Sequence, residues 1–182
     1  MIKKLLIALV VIFVVIIGAV AVISLLTPTD CKVEREITIN KPRAEVFAYL
    51  KQIKNQNAWG PWYKKDPSMK QEFRGTDGEV GFVSYWKSGS PEVGEGEQEI
   101  KKIVDGERVD TELRFKQPFE SKADAYLLTE STGETQTKVK WGFNTSMPRP
   151  FNLLLLVIDM DKEIGKDFQE GLQSLKTQLE EN

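Results

Sequence analysis

Acid-base and nucleophilic chemistry needs ionisable side chains, and this 182-residue chain has no histidine and a single cysteine. The missing imidazole removes the commonest general base, the Ser-His and Cys-His nucleophile pairs, and most zinc sites. Cys31 stands alone, so it neither builds a metal cluster nor closes an internal disulfide; no metal and no cofactor are expected. "VGEGE" (93–97) is not a phosphate loop, because it lacks the Gly-Lys-Ser/Thr ending and precedes a strand. The charges of "DMDKE" (159–163) spread around a helix axis and do not converge on one cation. Proton transfer would have to fall to Tyr, Asp, Glu, Lys or Arg. Arg35, set among Val33, Ile37 and Ile39, is the one ionisable residue that the apolar pattern carries inward.

What the spacing offers instead is an aromatic surface with occasional hydroxyls. Phe82, Ser84 and Trp86 alternate onto one face of a strand; Val109, Thr111, Leu113 and Phe115 do so on a second, and Val139, Trp141 and Phe143 on a third. Phe168 and Leu172 approach from a final helix that Gly165 thins one turn earlier. Trp59, Trp62 and Tyr63 crowd into "NAWGPWYKKDP" (57–67), which Gly60, Pro61 and Pro67 break too often for a regular element. Such residues line small-molecule pockets, and they also fill cores, so the residues alone leave both readings open.

These side chains need elements to position them. "VEREITIN" (33–40) alternates as a first strand, and Asn40 offers an N-cap with Pro42 in the first turn of a helix carrying Val46, Phe47, Leu50 and Ile53 on one stripe. Six alternating runs follow, separated by turn signals such as Thr76-Asp77-Gly78, Gly89-Ser90-Pro91, Asp105-Gly106, Gln117-Pro118 and Thr132-Gly133; they predict an antiparallel meander. From Phe151 onward Leu154, Ile158, Phe168, Leu172, Leu175 and Leu179 keep helical spacing, which predicts one long C-terminal helix. Leu153 to Ile158 is apolar all round, and deep burial at the start of that helix is the expectation, with bilayer contact as the alternative. The fold class is therefore α+β, with a seven-stranded antiparallel sheet covered by one long helix, a geometry that leaves a cavity unless large side chains fill it.

Leu5 to Leu26 runs for 22 residues without a charge or a proline. A helix of that length reaches roughly 33 Å, enough to cross a hydrocarbon core of about 30 Å, and its length favours an uncleaved anchor over a cleaved signal. The expected organisation is a tail at 1–4, a membrane span at 5–26, a linker at 27–32 and a domain at 33–182. Lys3 and Lys4 precede the span, but Lys32, Arg35 and Lys41 soon follow it, so charge alone does not orient it. The signal-like start favours a cytoplasmic N-terminus and a domain on the exported side. With 25 basic against 27 acidic residues, nucleic acid is not an expected partner.

"VGEGEQEIKKIVDGERVDTELRFKQPFES" (93–121), "TKVKWGFNTSM" (137–147) and "DMDKEIGKDFQEGLQSLK" (159–176) resemble the START-like helix-grip superfamily, also called SRPBCC or polyketide cyclase/dehydrase and lipid transport proteins, and within it the small membrane-anchored bacterial members. The resemblance covers about residues 33 to 180 and implies a pocket between the sheet and the C-terminal helix, with Trp59 and Trp62 near its mouth and their N–H groups close to water. It implies a membrane-tethered domain that binds a small hydrophobic or lipid-like ligand. A cyclase- or dehydratase-like enzyme, with a Tyr, Asp or Arg such as Arg35 moving protons, and a ligand-free interaction module with a filled core are the alternatives.

Overall fold

The computed structural model describes residues 2–181; Met1 of the tail and Asn182 at the end of the domain lie outside them. The apolar run forms helix α1 (Ile2–Leu26), on which Ser24 is the single buried residue and the leucines, isoleucines and valines stand exposed. Strand β1 (Asp30–Ile39) starts three residues before the alternation suggested, so only Thr27–Thr29 separate it from α1. Helix α2 (Arg43–Leu50) follows and buries Val46, Phe47 and Leu50, as their spacing requires. Asn40 is not its cap. Pro42 occupies the N-cap position without a side-chain bond, and the Asn40 N–H instead donates to Glu180 at 2.7 Å.

A 3-10 turn (Ile53–Asn55) leads into two short helices, α3 (Gln56–Trp59) and α4 (Pro61–Lys65), separated at Gly60. Proline suits the first turn of α4, because its missing N–H would have no partner there. Strands β2 (Lys70–Arg74), β3 (Val83–Lys87), β4 (Glu95–Val104), β5 (Arg108–Gln117), β6 (Ser121–Gly133) and β7 (Gln136–Ser146) then form the meander, every neighbouring pair antiparallel. The sheet order is β1-β7-β6-β5-β4-β3-β2, so the first strand closes against the last, with Val33 opposite Phe143 and Ile37 opposite Val139.

The long helix expected from Phe151 is broken. A 3-10 segment (Phe151–Leu156) ends in Val157–Asp159, and helix α5 (Met160–Glu181) starts afresh, with the Lys162 N–H donating to the Asp159 carboxylate at 3.0 Å. Burial at its start is also not what occurs: Leu154, Leu156, Val157 and Ile158 are all exposed. Helix α5 packs on β1 and on α3 and α4, burying Phe168, Leu172, Leu175 and Leu179. A second cluster, Phe47, Ile53, Phe82, Ile100 and Val109, seals the far half of the sheet under α2. This is the helix-grip fold.

Charged residues gather on the opposite face of the sheet. Arg114 bonds Glu97 and Glu99, each at 2.7 Å, and also Glu112. Tyr126 is pushed up to about 12 by burial and by its hydrogen bond to Glu34, and its ring lies where a side chain on Gly142 would stand.

Candidate ligand cavity

Between the sheet, α3 and α4, and the first half of α5 lies a cavity of about 790 Å³. Its floor is built from alternation. Trp86 on β3, Leu113 and Phe115 on β5, Ala125 on β6, and Trp141 and Phe143 on β7 all face it. Strand β4 leaves room at Gly96, which stands opposite Trp86; a Cβ there would come within 2.7 Å of the indole and of the Arg114 carbonyl. The Trp86 N–H donates to the Val93 carbonyl at 3.2 Å, and the ring meets Phe115 edge-on at 6.0 Å. The second glycine of "VGEGE" therefore serves aromatic packing.

The other wall comes from the helices. Phe168 stacks on Trp141 with centroids 4.1 Å apart, and Trp62 meets both rings edge-on at 6.2 and 5.5 Å. Gly171 permits this, since a Cβ there would lie 2.8 Å from Trp141 and 3.1 Å from Pro61. Exposed Glu163, Lys166 and Glu170 border the same space, which marks where it opens to solvent.

Trp62, Trp86, Leu113, Phe115, Trp141, Phe143 and Phe168, singled out in the sequence, border the cavity, as do Ser84 and Tyr63. Trp59, Phe82, Leu172 and Thr111 do not. Trp59 is wholly buried behind Trp141, 4.9 Å from it edge-on, and its N–H has no hydrogen-bond partner instead of lying near water. Phe82 belongs to the distal cluster under α2, and Leu172 to the main core. Thr111 is buried on the same strand face as Leu113, two residues before it on β5, where it accepts from the bordering Gln98 at 3.1 Å.

Arg35 is corrected too. It faces α5 as its strand position demands, but it lies outside the cavity and binds both carboxylate oxygens of Asp161 at 2.9 Å and the Asp161 carbonyl. That hydrogen-bonded pairing raises the guanidinium and lowers the carboxyl. Gly165 leaves the space that the guanidinium occupies.

Polar groups that periodicity did not reveal complete the site. Asn57 and Gln71 exchange reciprocal amide hydrogen bonds of 2.7 and 2.8 Å at its border, where α3 meets β2. Tyr63 and the 2.7 Å Lys65–Asp167 ion pair stand beside them. Aromatic walls with a few fixed amides suit a largely apolar guest with a polar end. Among the described residues no cluster of His, Cys, Asp and Glu could hold a metal ion.

A family profile described as polyketide cyclase / dehydrase and lipid transport matches residues 30–180. Among solved structures, truncated norcoclaurine synthase from Thalictrum flavum is similar with a TM-score of 0.64 and 11% identity, over 86% of this chain and 97% of that one. The same enzyme in complex with dopamine and hydroxybenzaldehyde gives 0.62 and 11%, over 88% and 92%. A protein from Thermobifida fusca gives 0.60 and 16%, over 81% and 91%. At such identities the likeness is one of fold alone. No curated protein sequence matches the chain.

Proposed function

We propose, from the premise that this chain belongs to the polyketide cyclase/dehydrase and lipid transport family, that it holds a small hydrophobic or lipid-like molecule between its sheet and α5 and is tethered to a membrane by Leu5–Leu26. The observation that carries the ligand reading is the cavity of about 790 Å³ walled by Trp62, Trp86, Phe115, Trp141 and Phe168. It falls in the range of about 300–1,000 Å³ usual for small-molecule sites. Apolar contact would supply roughly 25 cal/mol per Å² buried, less the ordering cost of association. A ligand-free interaction module would need that space filled.

The tether reading is supported by α1, whose long apolar run is exposed along its whole length except at Ser24. A soluble core helix of that composition would hide its side chains. The signal-like start, two lysines followed at once by the apolar run, favours a cytoplasmic N-terminus and a domain on the exported side, although Lys32, Arg35 and Lys41 after the span offset Lys3 and Lys4 in charge. The catalytic alternative draws on Tyr63 and the Lys65–Asp167 pair at the cavity border.

The test is extraction of purified residues 27–182 with organic solvent, followed by mass spectrometry, beside the variant Ala125→Phe, which puts a ring into the floor. A recurrent amphiphile in the parent and none in the folded variant supports carriage. Equal recovery from both, or none from the parent even after incubation with fatty acid, sinks it. Conversion of the added compound would favour the catalytic alternative.

A further inference from the structure

The 3-10 segment after β7 combines two properties that pull in opposite directions in water. Phe151, Leu154 and Leu156, with Val157 and Ile158 just after them, are 64%, 45%, 60%, 80% and 40% exposed, five large apolar side chains within eight residues. Yet the segment is firmly held. Asn152 is wholly buried: its amide donates to the carbonyls of Ser24 and Thr27 at 2.8 and 2.9 Å, and its oxygen accepts from the Ser24 hydroxyl at 2.8 Å. Arg149 donates to the Ser24 carbonyl at 3.0 Å and to that of Leu25 at 3.4 Å. Two carbonyls in the last turn of α1, those of Ser24 and Leu25, which a helix end leaves without partners, are thus satisfied by Arg149 and Asn152.

We infer that the 3-10 face is seated in the headgroup region of the bilayer that α1 crosses, so that the domain is docked on the membrane surface and does not merely hang from it. The inference rests on the tether reading above. Once α1 is placed across a bilayer, its last turn lies at the boundary between acyl chains and headgroups, and the face fixed to that turn lies there too. Apolar faces settle about 5–10 Å into that boundary. A second element at the same end agrees: Phe119, 80% exposed, caps the β5–β6 turn, and the β6 residue Ala123 pairs with Thr145, one position before the end of β7, where Ser146 meets Asp30. At this end Lys32 and Lys122 share one hollow with Asp30, Glu112 and Asp124, and Arg149 is committed to the carbonyls of α1, so the contact is apolar and does not require anionic lipid.

The experiment uses the full chain with Cys31→Ala and one added cysteine, carrying an environment-sensitive fluorophore, in phosphatidylcholine vesicles. Val157→Cys reports the proposed face and Leu156→Cys duplicates it; Val14→Cys reports α1, and Asp105→Cys the opposite end of the sheet. Lipid bearing a nitroxide near the headgroup should remove most of the fluorescence at Val157 and Leu156 and leave Asp105 unchanged, at low and high salt alike. Lipid bearing it near the chain end should quench Val14. Quenching at Val14 with Val157 and Leu156 behaving like Asp105 overturns the docking and leaves the tether standing. No quenching at any site overturns both, and equal quenching at all sites overturns the choice of face.

Discussion

Gly171→Ala and Gly165→Ala add the same methyl group to the same helix, and the structure assigns them opposite outcomes. Each gains about 1 kcal/mol of helix propensity. At Gly171 the new Cβ meets Cζ3 of Trp141 at 2.8 Å and Cδ of Pro61 at 3.1 Å. Trp141 cannot withdraw, being stacked on Phe168 and flanked by the edges of Trp59 and Trp62, and overpacking of this kind costs about 1–3 kcal/mol. The net for Gly171→Ala is a loss of about 1 kcal/mol, and up to about 2. At Gly165 the nearest atom is Nη2 of Arg35 at 2.0 Å, the end of a flexible chain whose partner Asp161 is 60% exposed. Displacing an exposed ion pair costs about 0–1 kcal/mol, so Gly165→Ala should be neutral or slightly stabilised. Urea unfolding of the full chain in detergent, followed by circular dichroism, should separate the two by about 1–2 kcal/mol, or about 2–8 °C in Tm. A Gly171→Ala variant as stable as Gly165→Ala would refute the claim that the aromatic wall is braced against α5.

Two further outcomes follow from particular contacts. Asn152→Ala takes their partner from the Ser24 hydroxyl and the Thr27 carbonyl, while the Ser24 carbonyl keeps Arg149, at about 1–3 kcal/mol for a buried group left unpaired; amide exchange should accelerate in residues 149–158 and not in β4–β6, and unchanged exchange there would mean that the clamp holds nothing. On the sheet's outer face, hydrogen bonds from Arg74 and Arg114 lower Glu97, those from Arg114 and Lys101 lower Glu99, and those from Lys87 and Tyr85 lower Glu95. Groups lowered on folding stabilise above their unfolded values, near 4.3 for glutamate, and that stability is lost as pH falls through the folded values. The urea midpoint should therefore drop on acidification below about pH 5, and Arg114→Ala should flatten the drop; an equal slope in both would place the acid sensitivity elsewhere.

Alternation and turn chemistry made the sheet legible, because a half-buried strand writes its register into every second residue. The same rule placed Trp86, Leu113, Phe115, Trp141 and Phe143 on the face that borders the cavity. It could not separate Thr111 from Leu113, two steps along one strand, since how deep a residue sits beneath α5 is set by the helix and not by the strand. Trp59 and Trp62 part company at the Gly60–Pro61 bend, where a backbone ψ of 141° at Gly60 turns one indole behind Trp141 and the other towards the hollow. The break at Val157–Asp159 was hidden because an all-apolar run carries no period to interrupt. The Asn57–Gln71 pair joins α3 to β2 across an irregular stretch, and no spacing rule connects them.

Thr27–Thr29 form a joint with two fastenings, the covalent one into β1 and the hydrogen-bonded one through Asn152 and Arg149. A rod gripped at two points of its tip cannot swivel in its socket. Whatever tilt or azimuth the rod adopts, the body that carries the hollow adopts as well, so the facing of the hollow's mouth is written into the rod's orientation and not left to a loose leash.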